Sequence, residues 1–158
     1  MSKILYVFSL SKEFFRVVYR IFKGEFKAIP IDTVNIDYLY HVVNKEDIND
    51  IISDGYISIS VYSSDIFSGI NSKVFYAFKE FPTKERIALS KGDFSDEKVI
   101  LKIKYDKEKY KDVYIRKYDE AILIPISEDK FFLNDLEYSV ETLWLNNIID
   151  ICKQKCYN

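Results

Sequence analysis

Three apolar runs in the second half of the chain constrain its fold most: Lys98 to Tyr105, Asp112 to Arg116 and Glu120 to Ile126, separated only by short polar gaps. A parallel neighbour needs a crossover of about a dozen residues or more, usually through a helix, and these gaps are too short for one. Successive strands of this kind belong to a largely antiparallel sheet. The polar stretch Asp106-Lys107-Glu108-Lys109 has a suitable length to join the first pair. With helical spacing before and after these strands, the pattern predicts an α+β domain rather than a wound α/β one.

The first half alternates element types. Lys3 to Ser9 reads as a strand, followed by a helix from about Ser11 to Lys23 that Gly24 ends, with Lys12, Arg16, Arg20 and Lys23 punctuating its apolar positions. Pro30 breaks the next segment. Leu39 to Val43 has the β-branched and aromatic content of a strand, and it runs directly into a helix whose apolar positions are Ile48, Ile51 and Ile52. Asn44 is the expected N-cap of that helix and Gly55 its stop. Tyr56 to Tyr62 alternates like a half-buried strand, and the polar stretch Ser63 to Ser72 with Gly69 suits a ligand loop. Lys73 to Phe78 reads as a short buried strand, and a helix follows Pro82 through about Ser90. From Asn134 onward, Leu136, Val140, Leu143, Trp144, Ile148 and Ile151 return to helical spacing.

A length of 158 residues fits one domain over 1–158. The 23 basic and 25 acidic residues leave a net charge of -2, so no global field draws the chain to nucleic acid or to an anionic membrane. Neither a signal peptide nor a transmembrane segment is expected. Cys152 and Cys156 are read as two reduced thiols of a cytoplasmic protein, and no metal site is expected. The Ile-, Tyr-, Lys- and Asn-rich vocabulary is also what an AT-rich genome writes, as in many viruses, mobile elements and some thermophiles; for a viral chain the expected compartment is the host cytoplasm.

No Rossmann, P-loop, zincin, thioredoxin or nucleophile-elbow motif occurs. Three segments carry the chemistry instead: Tyr40-His41, Val74-Phe75-Tyr76, and Arg116 to Pro125. His41 is the only histidine, placed on a strand just ahead of a helix N-terminus, a position suited to an anionic or hydroxyl-rich ligand. Glu120 heads an apolar strand, where a carboxylate can face a cleft while the core holds its strand. Each also has a plain structural reading: a bonded core histidine, a core aromatic, a charge at a strand end.

Together these segments resemble the ADP-ribosyltransferase superfamily, closest to its DarT-type, DNA-targeting branch. Leu39 to Gly55 is similar to the opening motif, in which a Leu-Tyr-His strand leads through a short polar turn into a helix ending at glycine. Val74-Phe75-Tyr76-Ala77-Phe78 is similar to the Phe-Tyr-Phe strand, and Arg116 to Pro125 to the segment that bears the catalytic glutamate. The branch has a second histidine where this chain has Asn44 and an asparagine where it has Asp47. Its arginine after the Phe-Tyr-Phe strand has Lys79 as the nearest cation here.

The resemblance implies a split, mostly antiparallel sheet flanked by helices, NAD as substrate, and transfer of ADP-ribose to a nucleic-acid or protein acceptor. It implies that Glu120 is catalytic and stabilises the oxocarbenium-like charge that develops as nicotinamide leaves. Tyr76 is then expected to stack on the nicotinamide ring, His41 and Asn44 to line the cofactor site with His41 on the adenosine-side ribose, and Arg116 to meet the pyrophosphate. Two other classes fit the composition. One is a metal-dependent nuclease of viral or mobile-element origin, with Glu80, Glu85 and Asp93 gathering a divalent ion near the basic helix. The other is a non-catalytic interaction protein that binds through its tyrosines and exposed edge strands.

Overall fold

The computed structural model describes residues 15–16, 18–59, 68–91 and 98–142. Its strands are β1 (Ala28–Pro30), β2 (Tyr38–Asn44), β3 (Tyr56–Ser58), β4 (Lys73–Ala77), β5 (Lys98–Lys104), β6 (Tyr114–Arg116), β7 (Ile122–Ile126), β8 (Lys130–Phe132) and β9 (Tyr138–Thr142). Two helices accompany them, α1 (Ile48–Asp54) and α2 (Lys84–Lys91), and residues 18–22 are also helical. The chain is thus mixed α+β, and its paired strands are antiparallel. Among the described residues, no helix is long and apolar enough to cross a membrane.

The strands form a four-stranded sheet of order β1-β6-β7-β4, a three-stranded sheet of order β2-β5-β9 and a β3-β8 ribbon. The two larger sheets touch at β2 and β4 through one bridge, in which Tyr40 and Phe78 exchange N–H···O bonds of 2.9 Å each. Strand alternation then sends neighbouring side chains to opposite faces. Leu39, Val43, Phe75, Ala77, Leu101 and Ile122 build one apolar layer, which the ribbon covers with Ile57 and Phe131 and α1 with Ile48 and Ile51. Val42, Val74, Phe78, Ile100 and Leu123 build the other, with Ile87 of α2 at 0% exposure within it.

The local signals explain most boundaries. Gly55 caps α1 in the left-handed conformation (φ 72°), and Gly24 (φ 66°) ends the helical residues before it. Thr83 starts α2: its carbonyl accepts the Ile87 N–H at 3.0 Å and its hydroxyl the Arg86 N–H at 3.3 Å. Pro30 closes β1 at the edge of its sheet, where a residue without an N–H is tolerated.

Other expectations fail. Asn44 does not cap α1; it is the last residue of β2, and Asp47 takes the cap position without a side-chain cap bond. The extended register with β5 holds Asn44 opposite Lys98, leaving the cap to a residue beyond the strand. The connector at 106–109 joins strands of different sheets, because β5 is already flanked by β2 and β9. Residues 138–142 are strand rather than helix: Tyr138 and Val140 alternate with Ser139 and Glu141 and pair with β5, so period two prevails over the spacing of three and four. The expected strand at 3–9, residues 60–62 of the Tyr56 strand, residues 63–67 of the polar loop, Asp93, and Cys152 and Cys156 lie outside the described residues.

Candidate functional site

His41 is 8% exposed on β2, where alternation places it in the layer of Leu39 and Val43. Its Nδ1 lies 2.6 Å from the Tyr76 carbonyl oxygen. A carbonyl only accepts, so Nδ1 carries the proton, and the bond fixes the ring across the junction between the two sheets. The imidazole also leans on Phe75 at 4.7 Å between centroids. Phe75 stacks on Phe131 at 3.8 Å, and Phe131 on Tyr110 at 5.0 Å, giving a column of four rings that begins at His41.

His41 and Asn44 open onto a pocket of about 520 Å³ between β2, α1 and β3, which Asp47, Asp50, Tyr56 and Lys98 also line. Asn44 is bonded on both sides of its amide there. Its Nδ2 donates to Asp47 at 2.8 Å and its Oδ1 accepts from the Lys98 ammonium at 2.5 Å, tying β2 and β5 to the start of α1.

Tyr76 and Arg116 belong to the other face. The Tyr76 carbonyl holds His41, but its ring alternates into the layer of Val74 and Phe78, and the Arg116 guanidinium lies 5.2 Å from the ring centroid. The Tyr76 hydroxyl is buried with no hydrogen-bond partner among the described residues. Arg116, at 5% exposure, forms a bidentate pair with Asp119, itself 2% exposed, through Nε at 2.9 Å and Nη2 at 2.5 Å. Arg116 is thus committed to its neighbour three residues on.

That pair closes the turn that presents Glu120. The Arg116 N–H donates to the Ala121 carbonyl and the Glu120 N–H to the Arg116 carbonyl, both at 2.9 Å, while Asp119 also accepts the Ala121 N–H at 3.2 Å. Glu120 emerges with φ 57°, the one non-glycine residue at positive φ among those described. Its half-exposed carboxylate accepts a charge-assisted hydrogen bond from Arg86 of α2, whose guanidinium also lies 4.0 Å from Glu80.

The structure therefore brings the three motif strands together as consecutive neighbours, β2 beside β4 through the bridge and β4 beside β7 through its ladder. It gathers His41 with Asn44 in one pocket, and Tyr76 with Arg116 on the opposite face, with Glu120 reached from α2. Sequence reasoning missed Asp119, Arg86 and Tyr56. The Arg-x-x-Asp spacing before the apolar strand was the available signal for Asp119; Arg86 and Tyr56 had none. Among the described residues no group of three or more His, Cys, Asp or Glu is arranged to hold a metal ion.

Compared with known proteins, the chain matches no protein-family model, no curated protein and no solved structure.

Proposed function

We propose that the chain is an ADP-ribosyltransferase-like domain that binds NAD and transfers ADP-ribose to a nucleic-acid or protein acceptor. The observation that carries the reading is the adjacency of its three motif strands, with Glu120 held in a left-handed turn at the head of the third. His41 on β2 and Ile122 on β7 lie two strand steps apart, which is about 10 Å. Glu120 is two residues before Ile122, at the head of that strand.

In this reading His41 meets the adenosine side of NAD and Glu120 the nicotinamide-side ribose. The bond between ribose C1′ and the nicotinamide nitrogen breaks, and nicotinamide leaves with the electron pair. An acceptor oxygen or nitrogen then bonds C1′ and gives up its proton. Glu120 accepts hydrogen bonds from the ribose hydroxyls and stabilises the positive charge spread over C1′ and the ring oxygen. Tyr76, Arg116 and Asp119 act as positioning residues, holding the turn from the far face of the sheet. Binding of Glu120 to ribose requires its carboxylate to leave Arg86, an exchange between exposed partners that costs about 0.2–1 kcal/mol.

The test is a thermal shift with NAD together with an assay of nicotinamide release. NAD is expected to raise the melting temperature, and Glu120→Gln to abolish release while leaving the shift. Absence of any shift at millimolar NAD overturns the reading.

A further inference from the structure

The first described helical residues present a face that the core does not use. Residues 15, 16 and 18–22 are helical, and the Lys23 N–H donates to the Tyr19 carbonyl at 3.0 Å, so Lys23 completes the same turn. Phe15, Tyr19 and Phe22 follow one another at spacings of four and three, which is one face of a helix. They are 68%, 60% and 87% exposed. Single exposed apolar side chains are ordinary on a protein surface, but three large aromatics in one line form a strip that water solvates poorly. Arg16, Arg20 and Lys23 repeat the same spacing one residue later, so a cationic stripe runs beside the aromatic one. The Lys23 ammonium lies 5.6 Å from the Tyr19 ring centroid, where the two stripes meet.

The remaining side of the helix is fastened to the domain. Val18 and Ile21 are half-buried, and the Arg20 guanidinium lies 3.5 Å from Glu25 and 4.7 Å from the centroid of Tyr118. Tyr118 donates its backbone N–H to the Glu25 carbonyl at 3.0 Å and packs on Phe26 at 4.9 Å between centroids. It belongs to the turn between β6 and β7, so the helix is tied to a paired part of the sheet. The aromatic stripe is thereby presented outward, with Arg16 and Lys23 exposed along its flank.

The geometry points to a peripheral membrane contact: this helix lies in the interface of an anionic bilayer. Phe15, Tyr19 and Phe22 enter the boundary between headgroups and acyl chains, and Arg16 and Lys23 meet the headgroup anions. The net charge of -2 supplies no long-range attraction, so the contact needs both stripes at once. A nucleic-acid backbone would pair the cations yet offer the phenylalanines no apolar layer to enter. A second copy docked face to face would set two cationic stripes against each other. The proposal does not depend on the transferase reading.

The experiment is flotation of the full chain with vesicles of phosphatidylcholine alone and with about one-third phosphatidylserine, which gives the surface a negative potential. The chain is expected to bind the anionic vesicles, to bind phosphatidylcholine alone only slightly, and to be released as salt rises from about 0.1 to 0.5 M. Phe15→Ser with Phe22→Ser is expected to weaken binding by roughly tenfold or more. Arg16→Gln with Lys23→Gln is expected to weaken it by roughly fivefold for each charge removed. All four positions are exposed, so both variants should melt as the wild type does, and the wild-type dependence on lipid charge and salt needs no variant. Failure of the wild type to float with anionic vesicles overturns the proposal, as does binding that the phenylalanine variant leaves intact. Binding of a single-stranded oligonucleotide without binding of vesicles, or a dimer that the phenylalanine variant dissolves and vesicles do not compete for, assigns the face to another occupant and overturns it equally.

Discussion

Glu120 offers a perturbation in which backbone strain and chemistry separate. An L-residue in the left-handed region pays roughly 1–2 kcal/mol that glycine does not, while glycine's extra freedom in the unfolded chain returns about 0.5–1 kcal/mol of that advantage. At φ 57° the balance favours Gly over Ala by about 1 kcal/mol. Both Glu120→Gly and Glu120→Ala delete the carboxylate and its bond to Arg86, a pair half in solvent and worth about 0.2–1 kcal/mol. That loss cancels in the comparison. The expected order is therefore Glu120→Ala least stable, with Glu120→Gly above it by about 2–4 °C in melting temperature for a chain of this length.

Thermal scans and guanidinium titrations at fixed pH read that order directly, and nicotinamide release read on the same samples is expected to vanish in both variants. If Glu120→Ala equals or exceeds Glu120→Gly in stability, the turn does not hold residue 120 in the left-handed region and the strain argument is wrong. If the stability order appears but both variants still release nicotinamide, the turn is as described and Glu120 is not the catalytic residue.

Asp119→Ala is expected to cost about 3–5 kcal/mol, since it strands the buried Arg116 guanidinium, and chemical denaturation measures it. Gly55→Ala is expected to cost at least the roughly 1–2 kcal/mol of a left-handed L-residue, plus a clash of its Cβ with the Asn134 side chain, whose Oδ1 lies 1.9 Å from that position. Asn134→Ala should relieve only the clash, as a double-mutant cycle in urea would show. Burial, followed by the charge of Asp106, pushes the Tyr110 phenol up to about 12. Between pH 10 and 12 the unfolded chain therefore loses this proton before the folded one does, and stability should fall as pH rises through that window. Ultraviolet titration of the phenols alongside melting temperature checks it, and Tyr110→Phe should flatten the fall.

How much of this was legible in the sequence follows from which forces act locally. The β2–α1 succession, its glycine stop and the β4 strand rest on alternation, local turn chemistry and a left-handed cap, all written within a few residues, and they read correctly. The three-residue strands β1 and β8 did not, because segments this short are strands only by virtue of their partners β6 and β3. Residues 138–142 misled for a related reason: Leu136 and Val140 also fit a helical stripe, and only the open edge of β5 decides for a strand.

The site shows the same division at finer grain. Side chains on a strand alternate, so once β2 and β4 bridge at Tyr40 and Phe78, the parity of every residue on both is set. His41 shares its face with Phe75 and Ala77, and Tyr76 is assigned to the other face with Tyr40 and Val42. Motif spacing along the chain brings the right strands together yet says nothing about which face each side chain takes, which only the register supplies. The aromatic that lines the His41 pocket is accordingly Tyr56, delivered by the β3-β8 ribbon that packs over that face. A ring reached through a separate ribbon is free to vary without disturbing the β2-β5-β9 sheet that carries His41.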